Sequence, residues 1–183
     1  MVYILLLLMD LKNIELSLIV GINKKRGIGL NGTMPWYFPE DLKYFQRLTK
    51  TTIDPNKKNI VLMGRNTMNS IPKFPLKNRM NVCISTTLSK ENETQEYIIY
   101  RSLDEAINEL QERDDIEKIF IIGGAMLYSD CLKHKNMKHL YLNELNDDQE
   151  CDTFFPIINM NDYKQVERTV LSPNVIANHY EKK

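Results

Sequence analysis

Residues 14–50 read IELSLIVGINKKRGIGLNGTMPWYFPEDLKYFQRLTK, and a strand pattern, a loop and a helix pattern follow one another in that order. Ile14 to Ile22 is apolar at most positions, as a strand covered on both faces should be. Gly27-Ile28-Gly29-Leu30-Asn31-Gly32-Thr33-Met34-Pro35-Trp36 is rich in glycine and ends on a proline and the sole tryptophan, which predicts a turn-bearing loop. Pro39 to Thr49 then reads as a helix. Proline stands near its first turn, where a missing N–H costs nothing, and Glu40 and Asp41 stand where the helix dipole favours acids. A strand, loop and helix in this order open an α/β unit, and α/β proteins place ligands beside the loop that follows the strand.

Outward from this stretch the alternation continues. Asn59 to Met63, Asn81 to Ser85, Tyr97 to Tyr100, Lys118 to Ile122 and His139 to Asn143 read as short strands, several apolar throughout. Ser102 and Glu105 form a capping box before Ala106, Ile107 and Leu110, so a helix begins there. Tyr163 to Leu171 and Val175 to Tyr180 flank Ser172-Pro173-Asn174 as an antiparallel hairpin. The expected fold is a single α/β domain over residues 13–183. It has a central, mostly parallel eight-stranded sheet, a C-terminal antiparallel hairpin and about four flanking helices. Val2 to Met9 is apolar, but Asp10 and Lys12 arrive too early for the roughly 20 apolar residues of a membrane span. Residues 1–12 are expected to be an extension outside the fold, with Met9 as a candidate functional start.

Composition narrows the function classes. Lys plus Arg and Asp plus Glu number 24 each among 183 residues, so the formal charge is zero and no basic run suggests nucleic acid or an anionic membrane. Any anion site must be local. Cys83, Cys131 and Cys151 are odd in number and widely spaced, which predicts reduced thiols in a cytoplasmic protein. His134 and His139 lack a carboxylate or thiol at ligand spacing, and His179 reads as a strand residue, so no metal site is expected.

Local preference departs from simple packing at three places. Trp36 beside the glycine loop suggests a pocket wall. Asp41 lies one helical turn from Phe45, with Leu42 alongside, so a carboxylate stands among apolar side chains. A buried carboxylate needs a donor, and a flat ligand with two adjacent N–H groups, such as a 2-amino-4-oxo-pteridine, would serve both oxygens. The third place is a pair of strand-to-helix junctions, Gly64-Arg65-Asn66-Thr67 and Gly123-Gly124 before Ala125, which offer backbone N–H groups to an anion.

In these motifs the chain resembles the dihydrofolate reductase family. The match runs from Ile19 through Gly27-Ile28-Gly29, Met34-Pro35-Trp36, Tyr44-Phe45-Gln46-Arg47, Met63-Gly64-Arg65-Asn66-Thr67, Ser70-Ile71-Pro72 and Pro75-Leu76-Lys77-Asn78-Arg79. It continues through Arg101-Ser102-Leu103-Asp104-Glu105-Ala106, Ile121-Ile122-Gly123-Gly124 and Asp152-Thr153-Phe154-Phe155-Pro156. The resemblance implies reduction of 7,8-dihydrofolate by hydride transfer from NADPH, in a monomer open to antifolates.

By resemblance, Asp41 grips the pterin with Thr153 hydrogen-bonding it, while Trp36 and Met34 border the reacting end. Arg79 clamps the carboxylate of the folate glutamate tail, in a forked geometry that Lys lacks. Ile19, Gly21, Leu42, Phe45, Thr49, Ile71, Leu76, Ile122 and Tyr128 line the substrate pocket. Gly21 stands where the family usually has Ala, which leaves more room. Gly64, Arg65, Thr67, Gly124 and Ala125 hold the pyrophosphate and ribose, and Gly21, Ile28, Gly32, Asn66, Gly123, Met126 and Leu127 also bind the cofactor. Ser85, Thr86 and Arg101, with Arg65, hold the adenosine end. Many members carry Arg in place of Thr86, so one contact to the 2′-phosphate is missing. The loop Gly27 to Met34 is the expected lid, admitting beside Met34 the water that protonates the pterin. A pyrimidine reductase of the same fold would lack the Asp41–Thr153 pair and Arg79. A non-catalytic folate- or nucleotide-binding protein would bind without turnover.

Overall fold

The computed structural model describes residues 14–94 and 96–183. The expectations for residues 1–12, and for a domain start at residue 13, lie outside the described residues. In chain order the elements are β1 (Leu16–Ile22), β2 (Gly27–Gly29), α1 (Pro39–Lys50), β3 (Lys58–Gly64), α2 (Arg65–Ser70), β4 (Met80–Ile84) and β5 (Tyr97–Tyr100). There follow α3 (Leu103–Leu110), β6 (Ile116–Ile121), α4 (Ala125–Lys133), β7 (Met137–Leu145), β8 (Thr153–Phe154), β9 (Tyr163–Ser172) and β10 (Val175–Lys182).

Eight strands form one sheet in the order β5-β4-β3-β6-β1-β7-β10-β9. Neighbours are parallel from β5 to β7, and the terminal hairpin runs antiparallel onto β7 through β10. The expected architecture is therefore present. Its strands are apolar on both sides because both sides are covered. Leu16, Leu18 and Val20 of β1 and Leu140 and Leu142 of β7 pack beneath α3 and α4 in the main core. On the other face, Ile19, Phe120 and Tyr141 meet Tyr44, Phe45 and Leu48 of α1. Fully buried side chains such as Leu18, Ile121 and Phe120 contribute about 1.5–3 kcal/mol each.

Two local readings change. Ser102 does accept from the Glu105 N–H at 3.1 Å, but the Glu105 carboxylate reaches back to the Arg101 N–H at 2.6 Å, so the capping box is displaced by one residue. Inside the loop reading of the glycine segment lies β2, which pairs antiparallel with β8 in a small second sheet.

The register of β7 against β10 decides what faces α1. Leu145 stands opposite Val175, Asn143 opposite Ala177, Tyr141 opposite His179 and His139 opposite Glu181. Alternation along a strand puts these rungs on the same face as Tyr141, which packs against α1. Trp36 packs on the Leu145–Val175 rung.

Candidate active site

The helix α1 carries an acid at its first turn and anchors a cation at its last. Asp41 is half-buried, and Asn143 Nδ2 donates to its Oδ1 at 2.6 Å. Burial pushes its carboxyl above the ordinary value, and the Asn143 amide partly offsets the shift by favouring the charged form. The other oxygen, Oδ2, lies 3.3 Å from where a Cβ on Gly21 would stand. The room expected at Gly21 is thus occupied by the acid itself. On the same amide Asn143 Oδ1, and on the neighbouring Leu145–Val175 rung Trp36 Nε1, are buried polar atoms with no hydrogen-bond partner among the described residues.

At the other end of α1, Arg79 is only 7% exposed. Its guanidinium donates to Thr49 Oγ1 at 2.8 Å and to the Lys77 carbonyl at 3.2 Å, and lies over the Phe45 ring. Burial pulls its pKa down, and no carboxylate among the described residues pairs with it. Thr49 is fully buried and spends its own hydroxyl proton on the Phe45 carbonyl at 2.7 Å, so it serves the pocket by holding Arg79. Ile19 is buried, whereas Leu42, Phe45, Ile71, Leu76 and Ile122 are partly exposed.

A second group of candidate residues gathers at the C-terminal ends of the neighbouring strands β3, β4 and β6. The Gly64 N–H donates to the Gly123 carbonyl at 2.8 Å, which ties the two glycine junctions together. A Cβ on Gly123 would stand 3.1 Å from Thr67 Oγ1, and φ at Gly123 is +129°. Only glycine suits that position, because other residues rarely adopt such a φ and a side chain would press on Thr67. Gly124 caps α4, so the first-turn N–H groups from Ala125 onward have no partner within the helix. Arg65 donates to Thr87 Oγ1 at 2.7 Å and Arg101 to the Thr86 carbonyl at 2.7 Å, which brings both guanidinium groups to the loop after β4. The Ser85 oxygen accepts from the Thr87 and Leu88 N–H groups and is spent on that turn. Thr87, in contact with both Ser85 and Arg65, is a member that the sequence did not suggest.

One expected contact is replaced, and several other expected residues have partners of their own. Thr153 does not bond Asp41: its hydroxyl donates to Asp152 Oδ1 at 2.8 Å, and it stands in β8 beside Gly29. Asn143 has the role expected of Thr153, a substitution visible only once β7 is laid beside α1. Leu127 belongs to the main core, so at most its backbone reaches the cradle. Tyr128 is also in that core, and its hydroxyl donates to the carbonyl of Ile19, another of the expected pocket residues, at 2.9 Å. Ile28 packs against the core, Met126 is 84% exposed, and Gly32 has open space around it.

The glycine loop closes on itself at Asn31-Gly32, whose φ values of 51° and 77° suit a tight turn between Leu30 and Thr33. Asp152 latches it, accepting from the Asn31 N–H at 2.8 Å and donating its own N–H to the Gly29 carbonyl at 3.0 Å. Met34, at the loop's end, is 56% exposed.

A family model described as dihydrofolate reductase matches residues 15–181. The chain is similar to a dihydrofolate reductase of Drosophila melanogaster, 37% identical over 79% of this chain and 81% of the relative. It is similar to those of Heliothis virescens, 35% identical over 86% and 87%, and Sus scrofa, 36% identical over 81% and 83%.

Proposed function

Since the chain belongs to the dihydrofolate reductase family and reduces dihydrofolate to tetrahydrofolate, we propose that it takes the hydride from NADPH and grips the pterin at Asp41. The observation that carries this reading is a pair of charges set along one helix, Asp41 carried by α1 and Arg79 anchored to it through Thr49. Asp41 and the Arg79 anchor Thr49 are eight residues apart in α1, or about 12 Å at 1.5 Å per residue. An elongated ligand with paired N–H donors at one end and a carboxylate at the other matches both charges. The pterin and the glutamate tail of dihydrofolate are such ends, with Phe45 between them. A 2,4-diamino antifolate would answer Asp41 in the same way.

The second group of residues fits a dinucleotide phosphate. Gly64, Gly123 and Gly124 keep open a cradle that a Cβ would fill, and Arg65 and Arg101 supply charge at its rim. Bound there, NADPH supplies the hydride that goes to C6 of the pterin. The protein's part is orientation and electrostatics. Ionised Asp41 favours the pterin protonated at N5, and exposed Met34 leaves water a route to that nitrogen. The Asp152 latch steadies the loop over the reacting end. The odd number and wide spacing of the cysteines support a cytoplasmic setting. No described helix is long and apolar enough to cross a membrane.

The test is the loss of reduced-nicotinamide absorbance when purified protein meets dihydrofolate with NADPH, and separately with NADH. Oxidation of NADPH well ahead of NADH is the expected result. Binding of both ligands without oxidation would favour the non-catalytic binding protein. Equal rates with NADH would overturn the roles given to Arg65 and Arg101.

A further inference from the structure

On the α1 side of the sheet, beyond Asn143 and Tyr141, the register of β7 and β10 assembles a cluster that the reductase reaction does not use. His139 Nδ1 lies 3.1 Å from His179 Nε2, and Glu181 Oε1 lies 3.9 Å from the same His139 nitrogen. The three ligand atoms all fall within 4.8 Å of one another. We propose that His139, His179 and Glu181 form a binding site for a divalent metal ion of borderline softness, such as zinc.

The distances suit that chemistry. With Zn–N bonds of about 2.0–2.1 Å, two ligands of a tetrahedron stand about 3.3 Å apart. The two imidazole nitrogens already stand at nearly that separation. Glu181 Oε1 needs to close on His139 Nδ1 by about half an ångström, and a partly exposed glutamate can approach both histidines by rotating its side chain. Two histidines and one carboxylate also leave a fourth position open for water.

The surroundings orient the rings as a metal site requires. His139 Nε2 lies 3.1 Å from Glu15 Oε2, and a carboxylate can only accept, so the His139 proton resides on Nε2. The lone pair of Nδ1 is thereby aimed at His179. A histidine that ligates through one nitrogen and donates from the other to a carboxylate is the usual outer support of a bound metal. Tyr141 stacks on His179 with ring centroids 4.3 Å apart and planes 12° apart, which fixes that ring.

This site is separate from the reductase site. His139 is four residues from Asn143 along β7, or about 13 Å at 3.3 Å per residue. In the absence of metal, the same contacts make a hydrogen-bond chain from His179 through His139 to Glu15, and the experiment distinguishes the two states.

The test is equilibrium dialysis of the full chain against zinc chloride after stripping with chelator, with thermal unfolding followed in parallel. One zinc per chain with a dissociation constant of about 10 µM or below is expected, together with a rise in the unfolding temperature. Binding should weaken at least about tenfold in His179→Gln and in Glu181→Gln, and by about tenfold in Glu15→Gln, while reductase turnover is unchanged in all three. Glu181 is partly exposed, so its variant keeps the test valid should a histidine variant fold poorly. The proposal is overturned by absence of stoichiometric zinc. It is overturned equally by zinc that survives in the His139→Gln/His179→Gln double variant or is lost only in Cys151→Ser.

Discussion

The substrate side and the cofactor side of the cleft are built from different materials. Along α1 the groups that matter are side chains: the Asp41 carboxylate, the Asn143 amide and the buried Arg79 guanidinium. At the ends of β3 and β6 they are mainly the lack of side chains, at Gly64, Gly123 and Gly124, and the backbone N–H groups that this exposes. The substrate side should therefore be broken by changing chemistry at constant size. The cofactor side should be broken by adding atoms.

The largest effect belongs to Asp41→Asn, which keeps the shape and removes the charge. Turnover of dihydrofolate should fall by about 100- to 10,000-fold. The same variant should be more stable than the parent without ligand at neutral pH. The folded-state pKa of Asp41 is raised, so the folded protein holds more protons than the unfolded one and loses stability as pH rises through that raised value. Asn cannot ionise and escapes the loss. Thermal unfolding at neutral pH checks the sign, and a destabilised Asp41→Asn would refute it.

Arg79→Lys comes next. It retains the charge but loses the fork, and a charge-assisted pair is worth about 1.5–3 kcal/mol, so KM for dihydrofolate should rise about 10- to 150-fold with kcat nearly kept. On the cofactor side, Gly123→Ala adds one methyl group 3.1 Å from Thr67 Oγ1 at a φ of +129°. The strain should cost about 1–3 kcal/mol, seen as a lower unfolding temperature and weaker NADPH binding, with dihydrofolate binding spared. If dihydrofolate binding fell equally, the two sides would not be separable.

The smallest effect is expected at Asn143→Ala. Its amide holds the Asp41 pKa down, so its removal should move the acid limb of the kcat/KM profile to higher pH. An unmoved limb would show that Asp41 does not titrate in that limb.

Most of the sheet was legible because its strands are long and doubly covered, and α1 because Pro39, Glu40 and Asp41 mark its first turn. The β2–β8 pair was not, since three and two residues carry no measurable period. Asp41 and Arg79 could be picked out as candidates, but their partners could not. Asn143 meets Asp41 across 102 residues of sequence, and only strand register brings it there. Thr153 was misplaced because a match to a motif says which residues recur, not which atoms meet. The same limit hid His179 from His139, which looked unaccompanied when only neighbours in sequence were considered.

The central claim is that one helix holds both ends of one substrate, and a shortened substrate tests it directly. Turnover should be compared between dihydrofolate and a dihydropterin lacking the benzoyl-glutamate tail, in the parent protein, Asp41→Asn and Arg79→Lys. The account predicts that Asp41→Asn loses activity on both substrates, whereas Arg79→Lys is impaired only on the one with a tail. Equal impairment of Arg79→Lys on both, or a tail-less substrate indifferent to Asp41→Asn, would contradict it.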